Sequence, residues 1–150
     1  MSRPLVVCVG DPVRGDDGVG HAVAGAVREA APEVRVVELA GDAGGLLDCW
    51  SGENVVVVVD ALRSDDPPGT LRVLDVSAAD PVPAGPATSS HGLGVAEAVA
   101  LGRVLGRLPG RLVLVGVVGS CFDVGAGLTP AVGGAVPSAV EAVLAAARAG

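Results

Sequence analysis

Five consecutive valines, Val55 to Val59, run into Asp60. β-Branched side chains crowd a helix and fit a pleated strand. An apolar run without polar alternation has to be covered on both faces. The chain is therefore expected to place a strand over residues 54–60 at the centre of a sheet, with helices above and below it. A second run of this kind, Leu5 to Val9, predicts a strand over residues 4–10. Gly10, Pro12 and Gly15 break it into a loop, and Val19, Ala22, Val23 and Ala26 then recur at helical spacing, predicting a helix over residues 18–30. The order strand, loop, helix leaves two adjacent carboxylates, Asp16 and Asp17, near the C-terminal end of a buried strand. That is the edge at which open α/β sheets bind ligands.

The rest of the chain continues the alternation. A strand is expected over residues 34–39, followed by the turn Gly41-Asp42-Ala43-Gly44-Gly45 and a short helix near residues 46–50. Residues 61–69 hold Asp65, Asp66, Pro67, Pro68 and Gly69, a turn too short for a crossover helix. The next strand, over residues 70–76, should therefore run antiparallel to the valine strand, and its imperfect alternation suits a sheet edge. Residues 77–90, with Pro81, Pro83 and Pro86, then return the chain to the other end of the sheet. Fourteen extended residues reach at most about 45 Å, enough to travel back along a seven-residue strand of about 23 Å. This long, Pro-rich loop is expected to be more mobile than the central strands. Ser89 or Ser90 can cap a helix over residues 92–106, residues 111–118 read as a fifth strand, and Pro130 opens a last helix to about residue 147, with Pro137 as a kink or interruption. The expectation is a single domain over residues 1–150 of α/β class, a three-layer α/β/α sandwich.

Composition narrows what such a domain does. Half of the residues are hydrophobic, and Trp50 and Phe122 are the only aromatics, so small aliphatics fill the core. The formal net charge is -7 and all ten basic residues are arginines. No basic stripe exists, which argues against a nucleic-acid partner. The chain enters its first strand almost at once, and no apolar run is expected to reach the ~18 residues of a membrane span. Cys8, Cys49 and Cys121 are odd in number and scattered, without metal-type spacing or a disulfide framework, which suggests a reducing cytoplasm.

Three polar features converge on one sheet edge. Asp17 follows the first strand, Asp60 ends the third, and His91 opens a helix after the return loop. Two carboxylates and an imidazole suit a borderline divalent metal with open coordination positions. Each also has a purely structural reading. Asp16 and Asp17 can cap a helix or complement its dipole, Asp60 can bond a neighbouring loop, and His91 can be a helix-entry residue. Four further residues are secondary candidates. His21 lies four positions after Asp17 and can share its helix face. Asp42 sits in the turn after the second strand. Cys121 lies in the Gly-rich loop after the fifth strand, and Asp16 accompanies Asp17. Cys8 lies inside a strand and reads as core.

At these residues the sequence resembles the hydrogenase maturation proteases, endopeptidases that trim the C-terminal extension of the nickel–iron hydrogenase large subunit. The matching stretches are Val9-Gly10-Asp11-Pro12-Val13-Arg14-Gly15-Asp16-Asp17-Gly18-Val19-Gly20, Val56-Val57-Val58-Val59-Asp60-Ala61 and Ser90-His91-Gly92-Leu93, with a closing Gly125-Ala126-Gly127-Leu128-Thr129-Pro130-Ala131-Val132. The resemblance implies a phosphorylase/hydrolase-like α/β/α fold with a mixed five-stranded sheet of order 2-1-3-5-4, strand 4 antiparallel. It implies that Asp17, Asp60 and His91 contact nickel, that this nickel belongs to the maturing centre of the precursor substrate, and that no organic cofactor is used. Asp17 and Asp60 are also the candidates for catalytic residues, the group that activates water being unassigned. Two departures stand out. Asp42-Ala43-Gly44-Gly45 is shorter than the family's Asp-Gly-Gly-Thr-type turn, and Ser120-Cys121-Phe122 is unlike the family's usual run.

Competing readings are a phosphorylation-dependent receiver domain and a non-catalytic module that binds a metal-loaded partner. A receiver uses paired acids after strand 1, an Asp ending strand 3 and a lysine near the end of strand 5. This chain has no lysine. A dinucleotide site is disfavoured because the first loop lacks Gly-x-Gly-x-x-Gly spacing.

Overall fold

The computed structural model describes residues 3–78 and 90–149, and for residues 78 and 90–93 the backbone alone. Strands β1 (Leu5–Val9), β2 (Arg35–Leu39), β3 (Val55–Leu62), β4 (Leu71–Asp75) and β5 (Arg111–Val118) form one sheet in the order β2-β1-β3-β5-β4. β1 pairs in parallel with β2 and β3, β3 pairs in parallel with β5, and β4 runs antiparallel to β5. The helices are α1 (Val19–Ala30), α2 (Ala43–Trp50), α3 (Ser90–Leu105) and α4 (Pro130–Arg148). The chain between β3 and β4 forms no helix. β4 is accordingly antiparallel, and it sits at the sheet edge beyond β5. A receiver's all-parallel sheet is excluded by the same observation.

Strand alternation sorts the valines into two cores. Val57, Val59 and Ala61 pack with Val6, Cys8, Val113, Val115 and Val117 under α1 and α4. Val56 and Val58 pack with Leu5, Val7, Val9, Leu112 and Leu114 under α2 and α3. Each fully buried valine contributes about 1.5–3 kcal/mol, so the two layers are set by the runs that predicted them. Burial, and secondarily the charge of Glu38, pushes the Cys8 thiol up to about 12, as suits an inert core residue.

Several boundaries differ from expectation. β3 continues past Asp60 to Leu62, because β5 offers a matching parallel ladder from Asp60↔Gly116 to Leu62↔Val118. A 3-10 turn, Gly15–Gly18, precedes α1. α2 begins at Ala43, earlier than expected, because Asp42 caps it. α3 starts at Ser90, while Ser89 and residues 79–88 of the return loop lie outside the described residues, and with them the expectation of its mobility. α4 carries Pro137 in its interior without ending there. It is also long and apolar enough, by length and composition only, to cross a membrane, where no such run was expected. Its stripe Val132, Ala139, Val143, Ala146 and Ala147 is buried against the sheet and serves as one core layer.

Candidate active site

The loop between β1 and α1 is built from tight turns. The Asp11 carboxylate accepts from the Val13 amide at 3.0 Å, and the Asp11 and Arg14 carbonyls accept from the amides of Arg14 and Asp17, each at 3.1 Å. The Asp11 amide in turn donates to Asp17 Oδ2 at 2.8 Å. Gly10 has φ +141°, and a methyl there would overlap the carbonyl oxygen of Asp17. The sequence needs glycine at this position so that the loop can fold back and seat Asp17, which is 5% exposed, against the end of β1.

Asp60 lies within β3, one position beyond the Cys8↔Val59 pair that closes the β1–β3 ladder. By alternation it belongs to the α2/α3 face, where Val56 and Val58 lie. It is 2% exposed, and its Oδ1 accepts from the Ala61 amide at 2.9 Å. Burial first, and the charge of Asp17 second, hold its carboxyl well above the usual carboxylate range, against the lowering effect of that one hydrogen bond. A desolvated carboxyl beside a second carboxyl gains from a divalent cation placed between them. The candidate residues Asp17 and Asp60 are thus brought close enough to interact electrostatically.

The third residue is positioned only as far as its backbone. His91 lies in the first turn of α3, and its side chain is outside the described residues. That end of the helix is anchored at the same sheet edge. A methyl on Gly94 would overlap the carbonyl oxygen of Gly41, just beyond the end of β2, where Leu39 accepts from the Gly10 amide at 3.1 Å. Among the described residues no three His, Cys, Asp or Glu side chains converge as a metal-binding group.

The secondary candidates separate. Asp16 does not cap a helix. It is fully buried and accepts from the backbone amides of Ser120 (2.8 Å), Cys121 (3.1 Å) and Thr129 (2.8 Å) and from the Thr129 hydroxyl (2.9 Å). Burial opposes its charge, but these bonds, led by those from Ser120, Thr129 and Cys121, outweigh it and lower its pKa. Asp16 therefore staples the β1–α1 loop to the loop before α4. Cys121 enters that staple through its backbone, its carbonyl accepting from the Asp16 amide at 2.8 Å. Asp42 is the N-cap of α2, accepting from the Gly45 amide at 2.8 Å. His21 turns toward β2: its Nδ1 meets Glu38 Oε1 at 2.5 Å and its Nε2 meets the Gly10 carbonyl at 2.8 Å. Glu38 also binds Arg28 at 2.5 Å. Sequence reading missed Glu38 and Thr129. Thr129 carried a signal in the closing motif, whereas Glu38 belongs to none of the motifs in the sequence. His21, Glu38, Gly10, Asp11 and Pro12 line a pocket of about 290 Å³.

Comparison with known proteins agrees with this architecture. The model of the hydrogenase maturation protease family matches residues 19–146. Asp60 and His91 fall inside that span, and Asp17 falls just before it. The chain is 33% identical over 152 residues to the hydrogenase 2 maturation protease of Escherichia coli strain K12, covering 97% of this chain and 91% of that protein. Among solved structures it is similar to the hydrogenase maturating endopeptidase HybD from E. coli, with a TM-score of 0.82 and 29% identity over 99% of this chain and 93% of that one. It is also similar to the [NiFe] hydrogenase maturation protease HybD from Thermococcus kodakarensis, with a TM-score of 0.72 and 27% identity over 93% and 95% of the two chains.

Proposed function

The chain belongs to the hydrogenase maturation protease family, a family of peptidase hydrolases, and on that premise we propose that it removes the C-terminal extension of a nickel–iron hydrogenase large-subunit precursor once nickel is in place. Asp17, Asp60 and His91 contact the nickel of the precursor, which is part of the substrate. The observation that carries this reading is the buried Asp60 carboxyl, whose pKa burial and then the charge of Asp17 raise well above the usual carboxylate range, at the sheet edge where α3 begins. A cation arriving with the precursor favours Asp60 as a carboxylate beside Asp17, offsetting both its burial and the charge of its neighbour. Three protein ligands leave the remaining positions to the precursor, so free metal binds weakly and recognition requires metal and polypeptide together. The same two carboxyls are the candidates for handling the proton of the attacking water. A buried carboxyl whose pKa is raised is suited to acid–base work nearer neutral pH than an ordinary carboxylate.

The test compares metal-free and nickel-loaded precursor by intact mass, using wild type, Asp60→Asn and His91→Ala. Wild type is expected to cut the nickel-loaded form alone, and both variants are expected to fold and cut neither. Equal cleavage of the metal-free precursor by wild type would remove the metal-reading step, and active variants would remove the assigned site.

A further inference from the structure

The peptide group joining Gly10 to Asp11 is held at both ends. Its carbonyl oxygen accepts from His21 Nε2 at 2.8 Å, and its amide donates to Asp17 Oδ2 at 2.8 Å. The other ring nitrogen of His21 faces the Glu38 carboxylate, which is itself fixed by Arg28. A carbonyl and a carboxylate are both acceptors, so the ring makes the two bonds as an imidazolium. A cation on the carbonyl end polarises the peptide and strengthens the hydrogen bond given by its amide. Gly10 has no side chain to brace this peptide, and its φ of +141° is one that few other residues adopt. The orientation of the Asp11 amide therefore depends on the hydrogen bonds around it.

We propose that His21 is a positioning residue for the proteolytic site: through the Gly10–Asp11 peptide it aims the Asp17 carboxylate at the metal of the substrate. This rests on the reading of Asp17 as a nickel-contacting residue. The role corresponds to an outer-shell partner of a metal ligand, with one backbone peptide inserted between them. It also accounts for Glu38 and Arg28, which hold the imidazole in place from β2 and α1.

The experiment measures steady-state cleavage of nickel-loaded precursor by wild type, His21→Leu, His21→Gln and His21→Asn, with Asp17→Asn alongside. The Asp11 amide is followed by NMR in each unliganded protein. Loss of the bond should raise KM in His21→Leu by about tenfold, the lower range for outer-shell substitutions. The Asp11 amide proton should move upfield and exchange faster. Gln can donate to the Gly10 carbonyl and should recover most of the KM, whereas the shorter Asn should not. This pair carries the test if His21→Leu does not fold. A merely structural role for His21 would lower the unfolding temperature without separating Gln from Asn in KM or moving the Asp11 amide, and that result overturns the proposal. Wild-type cleavage by Asp17→Asn overturns the reading of Asp17 and this proposal with it. An inactive Asp17→Asn beside an unaltered His21→Leu overturns the positioning role alone.

Discussion

Asp60 carries a cost to the fold that its proposed role in the site would explain. Its carboxyl is 2% exposed, and burial together with Asp17 keeps it protonated well above the usual range. In the unfolded chain an aspartate loses its proton near pH 3.9, by about the model-peptide value. Between that pH and its raised folded value, the folded state holds a proton that the unfolded state has released. Stability therefore falls as pH rises through this window, and the cost of Asp60 is greatest above it. Asp60→Asn removes the cost. The variant should unfold at a higher temperature than wild type near pH 8, by roughly 2–4 °C for each kcal/mol recovered, with the gain vanishing below about pH 4. Thermal unfolding across that range checks this, and a variant less stable than wild type near pH 8 contradicts it. A variant that is more stable yet unable to process precursor is the expected signature of a functional site.

Among the elements, α3 carries the proposed ligand His91 in its first turn, away from the strands that seat Asp17 and Asp60. Gly94 lets its first turn lie directly on the backbone at Gly41. Gly94→Ala improves helix propensity by about 1 kcal/mol but forces a methyl against a backbone carbonyl that cannot yield. The expected outcome is a shifted α3, a net destabilisation of about 1–3 kcal/mol from overpacking, and loss of precursor cleavage with the sheet retained. Urea unfolding and cleavage assays measure both effects. Unchanged cleavage would detach the start of α3 from the site. The Asp16 staple works in the same way on the opposite side, tying the β1–α1 loop to the residue that precedes α4.

Across the whole molecule, the two cores share the sheet and meet at β3. Residues 56–62 of that strand are buried on both faces, whereas β4 is an edge strand with Val73 52% exposed. Exposing β3 requires both helix layers to leave, while β4 can open by parting from β5 alone. Native-state hydrogen exchange should therefore find the amides of Val56–Val59 exchanging only through global unfolding, with denaturant dependence equal to that of the whole domain. The amides of Leu71–Asp75 should exchange at lower free energy and with weaker denaturant dependence. Equal protection in the two strands would count against an independently opening edge.

The elements were legible in the sequence because they rest on short-range pattern. Five valines in a row, a glycine- and proline-broken loop and a turn too short for a helix are properties of neighbouring residues, and they determined the layers, the central strand and the antiparallel β4. The roles of the carboxylates were not legible in the same way. Asp16 and Asp17 are adjacent and chemically identical, and either could have been a cap. Asp16 became a staple because its partners are Ser120, Cys121 and Thr129, 104 to 113 residues away. Asp17 became the neighbour of Asp60 because Gly10 turns the loop back. Likewise His21 left the helix face it seemed to share with Asp17 once β2 brought Glu38 beside it. Periodicity specifies which face of an element is buried, but a polar side chain takes its role from the donors and charges that distant segments carry to it, and only the tertiary structure brings those together.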